Sequence, residues 1–260
     1  MKKFVILILF LAAWRPLWAE KSDISVLSFP YSVYALGAGN SFDPEGRSYT
    51  GNPFWAEGNQ AYFSTSFLPV DIRVQYISIA WRDYFADAIH FNWGEIEGRD
   101  EWGNLTQIYR SCDTAFSLGY RKRKGPFYVT GSMRLLMREN GPERDSFFIP
   151  SLAAGWKAES FMAGGSFDTM GGEERLNFYG GVSWRFLTLT VRREFAQGND
   201  TLHGGVEWAL SEAFSLVSGL NDKKWTAGMI LRARIFTLEY ATQIDDGDMM
   251  ANTFSLSYRF

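Results

Sequence analysis

Cysteine, histidine and net charge are all scarce in this chain, and each scarcity excludes a class of site or partner. Cys112 is the only cysteine in 260 residues, so an intramolecular disulfide and a thiolate metal cluster are both excluded. The two histidines, His90 and His203, show no metal-binding spacing, and we predict neither a metal site nor a cofactor. A formal net charge of -3 gives no attraction to nucleic acid, so we predict no nucleic-acid partner.

Long apolar runs are also missing, except at the N-terminus. Lys2 and Lys3 precede an apolar run over 4–13, and the small residue Ala19 follows shortly after. This order is typical of a signal peptide, which we predict over residues 1–19, with an uncleaved anchor as the alternative. The run is short for a spanning helix, which needs ~20 residues. Because charges or glycines interrupt every later segment, a mature chain in a membrane must cross it as strands.

Aromatic residues and glycine are abundant instead, with 22 Phe, 12 Tyr, 10 Trp and 25 Gly, a mixture that favours strands and tight turns. Apolar and polar residues alternate with period two from about residue 60 to the end. About fourteen segments fit this pattern, with twelve as the alternative count. We predict strands at 60–67, 71–81, 84–93, 112–120, 127–138, 147–156, 160–167, 176–185, 187–194, 202–210, 214–220, 225–232, 235–244 and 253–260.

The connections between these segments alternate between tight and long. The long ones, which hold most of the polar loop residues, are 94–111, 139–146, 168–175, 195–201 and 244–252. Short periplasmic turns and long external loops are typical of outer-membrane barrels. We therefore predict an all-β fold, a transmembrane antiparallel β-barrel over residues 60–260 with both ends on the periplasmic side. A secreted soluble β-sandwich or lipocalin-like barrel would also alternate, and stays the alternative.

Charges of both signs share strand faces with Ser and Thr. A charge within the bilayer boundary persists only when it is paired or hydrated, so a protein-lined lumen suits this mixture better than lipid does. We predict a lumen charge network of Arg134, Arg185, Arg192, Glu194, Glu207, Arg232 and Glu239. The alternative is that these are ordinary solvated faces.

The C-terminal segment places four apolar or aromatic residues on one face of a strand: Phe254, Leu256, Tyr258 and Phe260. This pattern resembles the terminal signal by which the barrel assembly machinery of the outer membrane recognises its substrates. The resemblance implies that machinery as a partner, membrane lipid as the surroundings, and the bacterial outer membrane as the location.

A glycine-rich stretch over 35–42, followed by Asn52 and Pro53, resembles the opening of FadL-like outer-membrane barrels, including the PorV/PorQ type. The last third of the chain is similar to the closing hairpins of that family. Family members usually carry Gly and Ala where this chain has Asn40 and Ser41, and Ala and Gly where it has Phe54 and Trp55. Those departures bear on the ligand path, not on the envelope location.

In that family the N-terminal segment can lie inside the barrel as a hatch. The resemblance implies the same for residues 20–59, with the hatch or ligand candidates Gly37, Gly39, Asn40, Asn52 and Pro53. A periplasmic leader without a plug is the alternative.

Two functions follow from the resemblance. One is passage of a small or hydrophobic solute, which predicts an apolar pocket under the hatch. The other is a non-transporting platform for an envelope complex, which predicts a filled lumen and an exposed apolar patch on the external loops. We do not expect an enzyme, because no nucleophile motif is present. A serine beside His90 or His203 would be the enzymatic alternative.

Overall fold

The computed structural model describes residues 32–38, 41–42, 52, 54, 58–69, 71–99, 102, 105–170, 173–196, 199–221, 224–244 and 250–260. In these ranges a one-turn helix, α1, Val33–Gly37, precedes fourteen strands. The strands are β1 Gln60–Phe67, β2 Arg73–Trp81, β3 Tyr84–Arg99, β4 Leu105–Lys124, β5 Phe127–Asn140, β6 Glu143–Lys157, β7 Phe161–Met170, β8 Glu173–Trp184, β9 Leu187–Ala196, β10 Asn199–Ala209, β11 Phe214–Asn221, β12 Lys224–Ala233, β13 Phe236–Ile244 and β14 Met250–Arg259. None of the described helical segments is long and apolar enough to cross a membrane.

The fourteen strands form one closed antiparallel barrel. Each strand pairs with its neighbours in sequence, and β1 pairs with both β2 and β14. The closing ladder runs from Gln60 opposite Arg259 to Phe67 opposite Asn252. Closure removes the unpaired edges that an open sheet would present to lipid. The predicted fold class is confirmed with fourteen strands, and both the twelve-strand count and the two-sheet sandwich are wrong.

The strands extend further at one end than the sequence predicted. Most of the predicted loop 94–111 is strand, because β3 continues to Arg99 and β4 begins at Leu105. The pairing of β3 with β4 shifts between Asn92 and Gly94 and again between Gly98 and Arg99. Side chains over 105–108 are exposed on both faces, so apolar and polar residues have no reason to alternate there. Four shorter predicted loops, 139–146, 168–175, 195–201 and 244–252, are likewise partly strand.

The outward face of the barrel is apolar and uncovered. In β2 exposed and buried residues alternate without interruption, and Ile77, Ile79 and Trp81 are about half exposed. The same outward face on the last strand carries Phe254, Leu256 and Tyr258, all exposed, and Phe260 follows them. A soluble monomer rarely exposes apolar patches beyond a few hundred Å², so a continuous apolar exterior is suited to lipid.

Part of the inward face is apolar too. Eight buried side chains of β1 to β6 pack together, and we call this group the apolar wall: Tyr62, Val74, Tyr76, Ile89, Phe91, Ala115, Leu136 and Ile149. Water-filled barrels have polar interiors, so a wall of this composition is not expected of an open aqueous pore.

Gly119 allows an aromatic ring to pack inside the barrel. It lies opposite Phe85, and a Cβ built on Gly119 would be 2.2 Å from the ring carbon Cζ. We predict that Gly119→Ala lowers the free energy of unfolding by ~1–3 kcal/mol, since the buried ring must move. Gly131→Ala is the control, because nothing lies within 4 Å of its built Cβ. Urea unfolding of barrels refolded in vesicles measures both, and equal midpoints would contradict the prediction.

Candidate functional site

Most of the described N-terminal segment, residues 32–38, 41–42, 52 and 54, is buried inside the barrel. Its helix α1 begins after Ser32, whose side-chain oxygen accepts a hydrogen bond from the Ala35 N–H at 3.3 Å and so caps the first turn. Every residue of α1 is buried, and the helix packs against β11, β12, β13 and β14. We call the described residues 32–38, 41–42, 52 and 54 the hatch.

Three hydrogen bonds join the hatch to separate parts of the barrel wall. The Val33 N–H donates to the Tyr62 hydroxyl of β1 at 3.0 Å. The Thr226 hydroxyl of β12 donates to the Gly37 carbonyl at 2.8 Å. The Ser41 and Thr190 hydroxyls, the latter on β9, are 2.7 Å apart. Because these strands lie at different positions around the barrel, the hatch extends across the lumen.

Apolar contacts fill the space between α1 and the wall. Tyr34 and Ala38 form a buried cluster with Val217 and Ile230. Val33 and Leu36 form another with Ala241. The helix is therefore held by packing as well as by hydrogen bonds.

Two phenylalanines anchor the rest of the hatch to β5, β7 and β8. The Phe42 ring lies 5.5 Å from Phe54 and 5.6 Å from Tyr179, and Phe54 lies 5.9 Å from Tyr128, all between ring centroids. These rings and Met162 form one buried cluster. Phe54 stands where the resembling family has a small residue, so this departure supplies a large part of the cluster.

Glycines permit close contact between the hatch and the wall. A Cβ built on Gly37 would be 3.4 Å from the Ala241 Cβ. One built on Gly205 of β10 would be 2.3 Å from the Ala38 carbonyl oxygen and 2.5 Å from its Cβ. The hatch backbone thus lies directly against β10, where any side chain would displace it.

The predicted hatch residues are described only in part. Gly37 ends α1 and its carbonyl oxygen accepts from Thr226. Asn52 is buried, and its side-chain oxygen accepts from the Phe54 N–H at 3.0 Å. Gly39, Asn40 and Pro53 lie outside the described residues.

The predicted lumen charges, except Arg185, lie on the inward face, and each has a polar partner there. Arg192 pairs with Glu194 at 2.6 Å. Arg232 pairs with Glu207 at 2.7 Å and also donates to Ser215. The remaining two, Glu239 and Arg134, bond to hydroxyls: Glu239 accepts from Ser255 at 2.7 Å, and Arg134 donates to Ser117 at 3.1 Å. Such partners compensate the desolvation of a buried charge.

The prediction for Arg185 is wrong. Strand β8 ends at Trp184, and Arg185 occupies the turn to β9 with a φ of 48° and an exposed side chain. Its guanidinium carbon lies 5.9 Å from the centroid of the Trp184 ring. The alternation of apolar and polar residues in the sequence continues through the turn. A prediction from that alternation alone therefore placed Arg185 in the lumen.

Two inward ion pairs were not predicted. Arg138 pairs with Asp113 at 3.1 Å, and Trp93 donates to the same carboxylate at 3.2 Å. Arg175 pairs with Asp168 at 2.7 Å. The members of each pair are directly opposite in the ladder, so hairpin register, once known, would have identified both.

The two histidines hydrogen-bond on opposite faces of the barrel: His203 is buried on the inward face, whereas His90 lies between the inward Ile89 and Phe91 and so faces outward. His90 Nδ1 is 2.9 Å from the Thr114 hydroxyl. His203 Nε2 is 3.1 Å from the Thr201 hydroxyl and 3.3 Å from Arg192 Nη2. These contacts tie both side chains to strand residues of the barrel.

Comparison with known proteins identifies the fold. No protein-family model and no curated protein matches the chain. Among solved structures, the Pseudomonas putida toluene transporter TodX is similar with a TM-score of 0.61 and 10% identity, covering 88% of this chain and 98% of TodX. The Ralstonia pickettii toluene transporter TbuX is similar with a TM-score of 0.59 and 9% identity, covering 87% of this chain and 97% of TbuX. At this identity the likeness shows a shared barrel fold.

We predict that Gly205→Ala loosens the hatch. The new methyl group would overlap Ala38, so the hatch must shift at a cost of ~1–3 kcal/mol, which makes its open state about fivefold more populated or more. Limited proteolysis of the folded barrel should then cut residues 32–42 at least about fivefold faster.

Gly204→Ala is the matched control on the neighbouring residue, because the atom nearest its built Cβ is 4.0 Å away. Its cleavage rate should equal that of the unaltered chain. Identical rates for the two alanine variants would show that the hatch does not lie against Gly205.

Proposed function

We propose that this chain is a FadL-like barrel of the bacterial outer membrane that passes a small hydrophobic solute, with the hatch as the element that moves. The observation that carries the proposal is the apolar wall beside the hatch. The wall is fully packed in this structure, so movement of the hatch must first uncover it. An apolar solute would then gain ~25 cal/mol for each Å² that it buries there, whereas a polar one would gain nothing.

The apolar surface continues from the wall toward the end of the barrel where β3 and β4 project. Leu68, Ile72, Trp93 and Phe147 are partly buried and pack against the wall. The Phe91 and Trp93 rings are 4.2 Å apart between centroids. At the other side of the wall, Tyr62 accepts the hydrogen bond from Val33. Apolar and aromatic contacts therefore lead from the barrel mouth to the hatch.

The solved structures support the same proposal. TodX and TbuX are described as toluene transporters, and toluene is a small aromatic hydrocarbon. Since the likeness is one of fold, the apolar wall of this chain is the independent support for a similar solute class.

A second candidate is a platform that binds a protein partner in the envelope. It is favoured by exposed apolar side chains on the projecting β3–β4 hairpin, where Trp102 is 80% exposed, Leu105 54% and Ile108 52%. The hatch and the apolar wall also pack inside the barrel, and a platform needs no open path.

Locking the hatch separates the two candidates. In a Cys112→Ser background, Gly37→Cys with Ala241→Cys places two thiols on Cβ atoms about 3.4 Å apart, close to the separation found in disulfides. Transport predicts that oxidised cells take up radiolabelled toluene no faster than cells lacking the chain, and that a reductant restores uptake. Cys112→Ser alone should transport normally under both conditions.

The same disulfide lock can also contradict the transport proposal. If oxidised and reduced cells take up toluene equally, and no faster than cells lacking the chain, the transport proposal is wrong and the platform is favoured. A gel without reductant would show the internal disulfide, so a lock that fails to form is recognised directly.

A further inference from the structure

One end of the barrel is formed by the connections β2–β3, β4–β5, β6–β7, β8–β9, β10–β11 and β12–β13, together with Asn59 and Phe260. We call it the terminal end. Three of its connections are two-residue turns that begin with arginine, at Arg82, Arg185 and Arg234.

These arginines adopt a backbone conformation that does not suit them. Their φ angles are 56°, 48° and 49°, in the left-handed region. Gly125 has the same place in the β4–β5 turn with a φ of 59°. Glycine and asparagine are the residues that such turns favour, because a long side chain adds a steric cost. Turn geometry therefore does not explain why arginine occupies three of these positions.

The side chains are available to a partner. All three are exposed, and among the residues that the structure describes their guanidinium groups form no ion pair. The Arg82 backbone is fixed, because its N–H donates to Asn59 at 2.8 Å and its carbonyl accepts from Arg121 at 2.9 Å. A rigid turn holding a free cation loses little backbone entropy on binding.

Charge is distributed unequally between the two ends. At the terminal end the residues described as exposed include seven basic and two acidic ones: Arg82, Lys122, Arg123, Lys124, Arg185, Arg234 and Arg259 against Glu159 and Glu212. The partly exposed Asp83 of the first turn adds a third acidic group and pairs with Lys122 at 2.6 Å. At the opposite end they include three basic and seven acidic ones: Arg73, Arg110 and Arg144 against Asp71, Glu95, Glu97, Glu143, Asp145, Glu174 and Asp200. The terminal end thus suits an anionic surface.

Aromatic residues place the arginines at the level of a membrane interface. Trp81 and Tyr84 flank the first turn and are 54% and 63% exposed. Trp184 precedes the second turn and Phe186 is its second residue, and they are 61% and 48% exposed. Such rings lie at the boundary between hydrocarbon and headgroups, so turn residues beside them are at headgroup height.

We propose that the terminal end binds the phosphates of anionic phospholipid headgroups through Arg82, Arg185 and Arg234. This inference rests on the membrane location in the proposed function, but not on transport. The guanidinium fork matches phosphate oxygens, and a bilayer presents many such groups around the rim at once.

The test compares urea unfolding equilibria in phosphatidylcholine vesicles and in vesicles that also contain phosphatidylglycerol. For the unaltered chain the folding constant should be higher in the anionic vesicles. Each arginine near an anionic surface contributes about fivefold to the folding constant. R82N/R185N/R234N should therefore reduce the ratio of the folding constant in anionic vesicles to that in phosphatidylcholine vesicles on the order of 100-fold. In pure phosphatidylcholine it should fold at least as well as the unaltered chain, because asparagine tolerates the left-handed conformation.

Two control variants separate charge from position. R82K/R185K/R234K keeps the cations and should retain most of the ratio. R110N/R144N removes arginines of the opposite end that already lie 3.9 Å from Glu95 and 3.4 Å from Glu139, and should leave the ratio unchanged.

Each result is decisive. An equal ratio for the asparagine variant and the unaltered chain, with both folded in the vesicles, overturns the headgroup inference and leaves the membrane proposal standing. If the unaltered chain folds into neither kind of vesicle, both the headgroup inference and the membrane proposal are overturned. If free inorganic phosphate in phosphatidylcholine vesicles reproduces the stabilisation, the arginines bind a soluble anion and the headgroup inference is wrong.

Discussion

The β1–β14 ladder is the contact on which the rest of this structure depends. It joins Gln60–Phe67 to the last strand of the chain and leaves no strand in the described barrel with an unpaired edge. In hydrocarbon each unsatisfied backbone group costs several kcal/mol, so an apolar exterior of this kind is tolerable only on a closed sheet. Once the sheet closes, period-two side-chain geometry sends one set of residues to the exterior and the other to the interior.

Closure also creates an interior whose side chains must be packed or hydrated, and the described inward face meets this need in two ways. Over β1 to β6 the inward side chains pack against one another as the apolar wall. On β8 to β13 the larger inward polar groups pair or bond to hydroxyls, as Arg192 does with Glu194, and the hatch packs between them. A ligand path in such a barrel requires displacement of packed residues, which makes the hatch the natural point of control.

The sequence predicted the strands well because the exterior and the interior of a closed barrel impose opposite requirements on alternate residues. Prediction failed where that contrast is absent: side chains at 105–108 are exposed on both faces, and Arg185 lies in a turn where alternation has no meaning. The placement of Gly37 inside the barrel came from resemblance. Its bond to Thr226, 189 residues away, joins groups that meet only when the barrel closes, so no local pattern could indicate it.

We propose that the closed barrel of this chain resides in the outer membrane, and the gel mobility of fractionated envelopes tests this location. Closed barrels resist detergent until heated, because unfolding must break ladders all around the sheet at once. We predict that the chain is found in the outer-membrane fraction and changes mobility on boiling. Recovery in the soluble periplasmic fraction, with one mobility before and after boiling, would contradict the account.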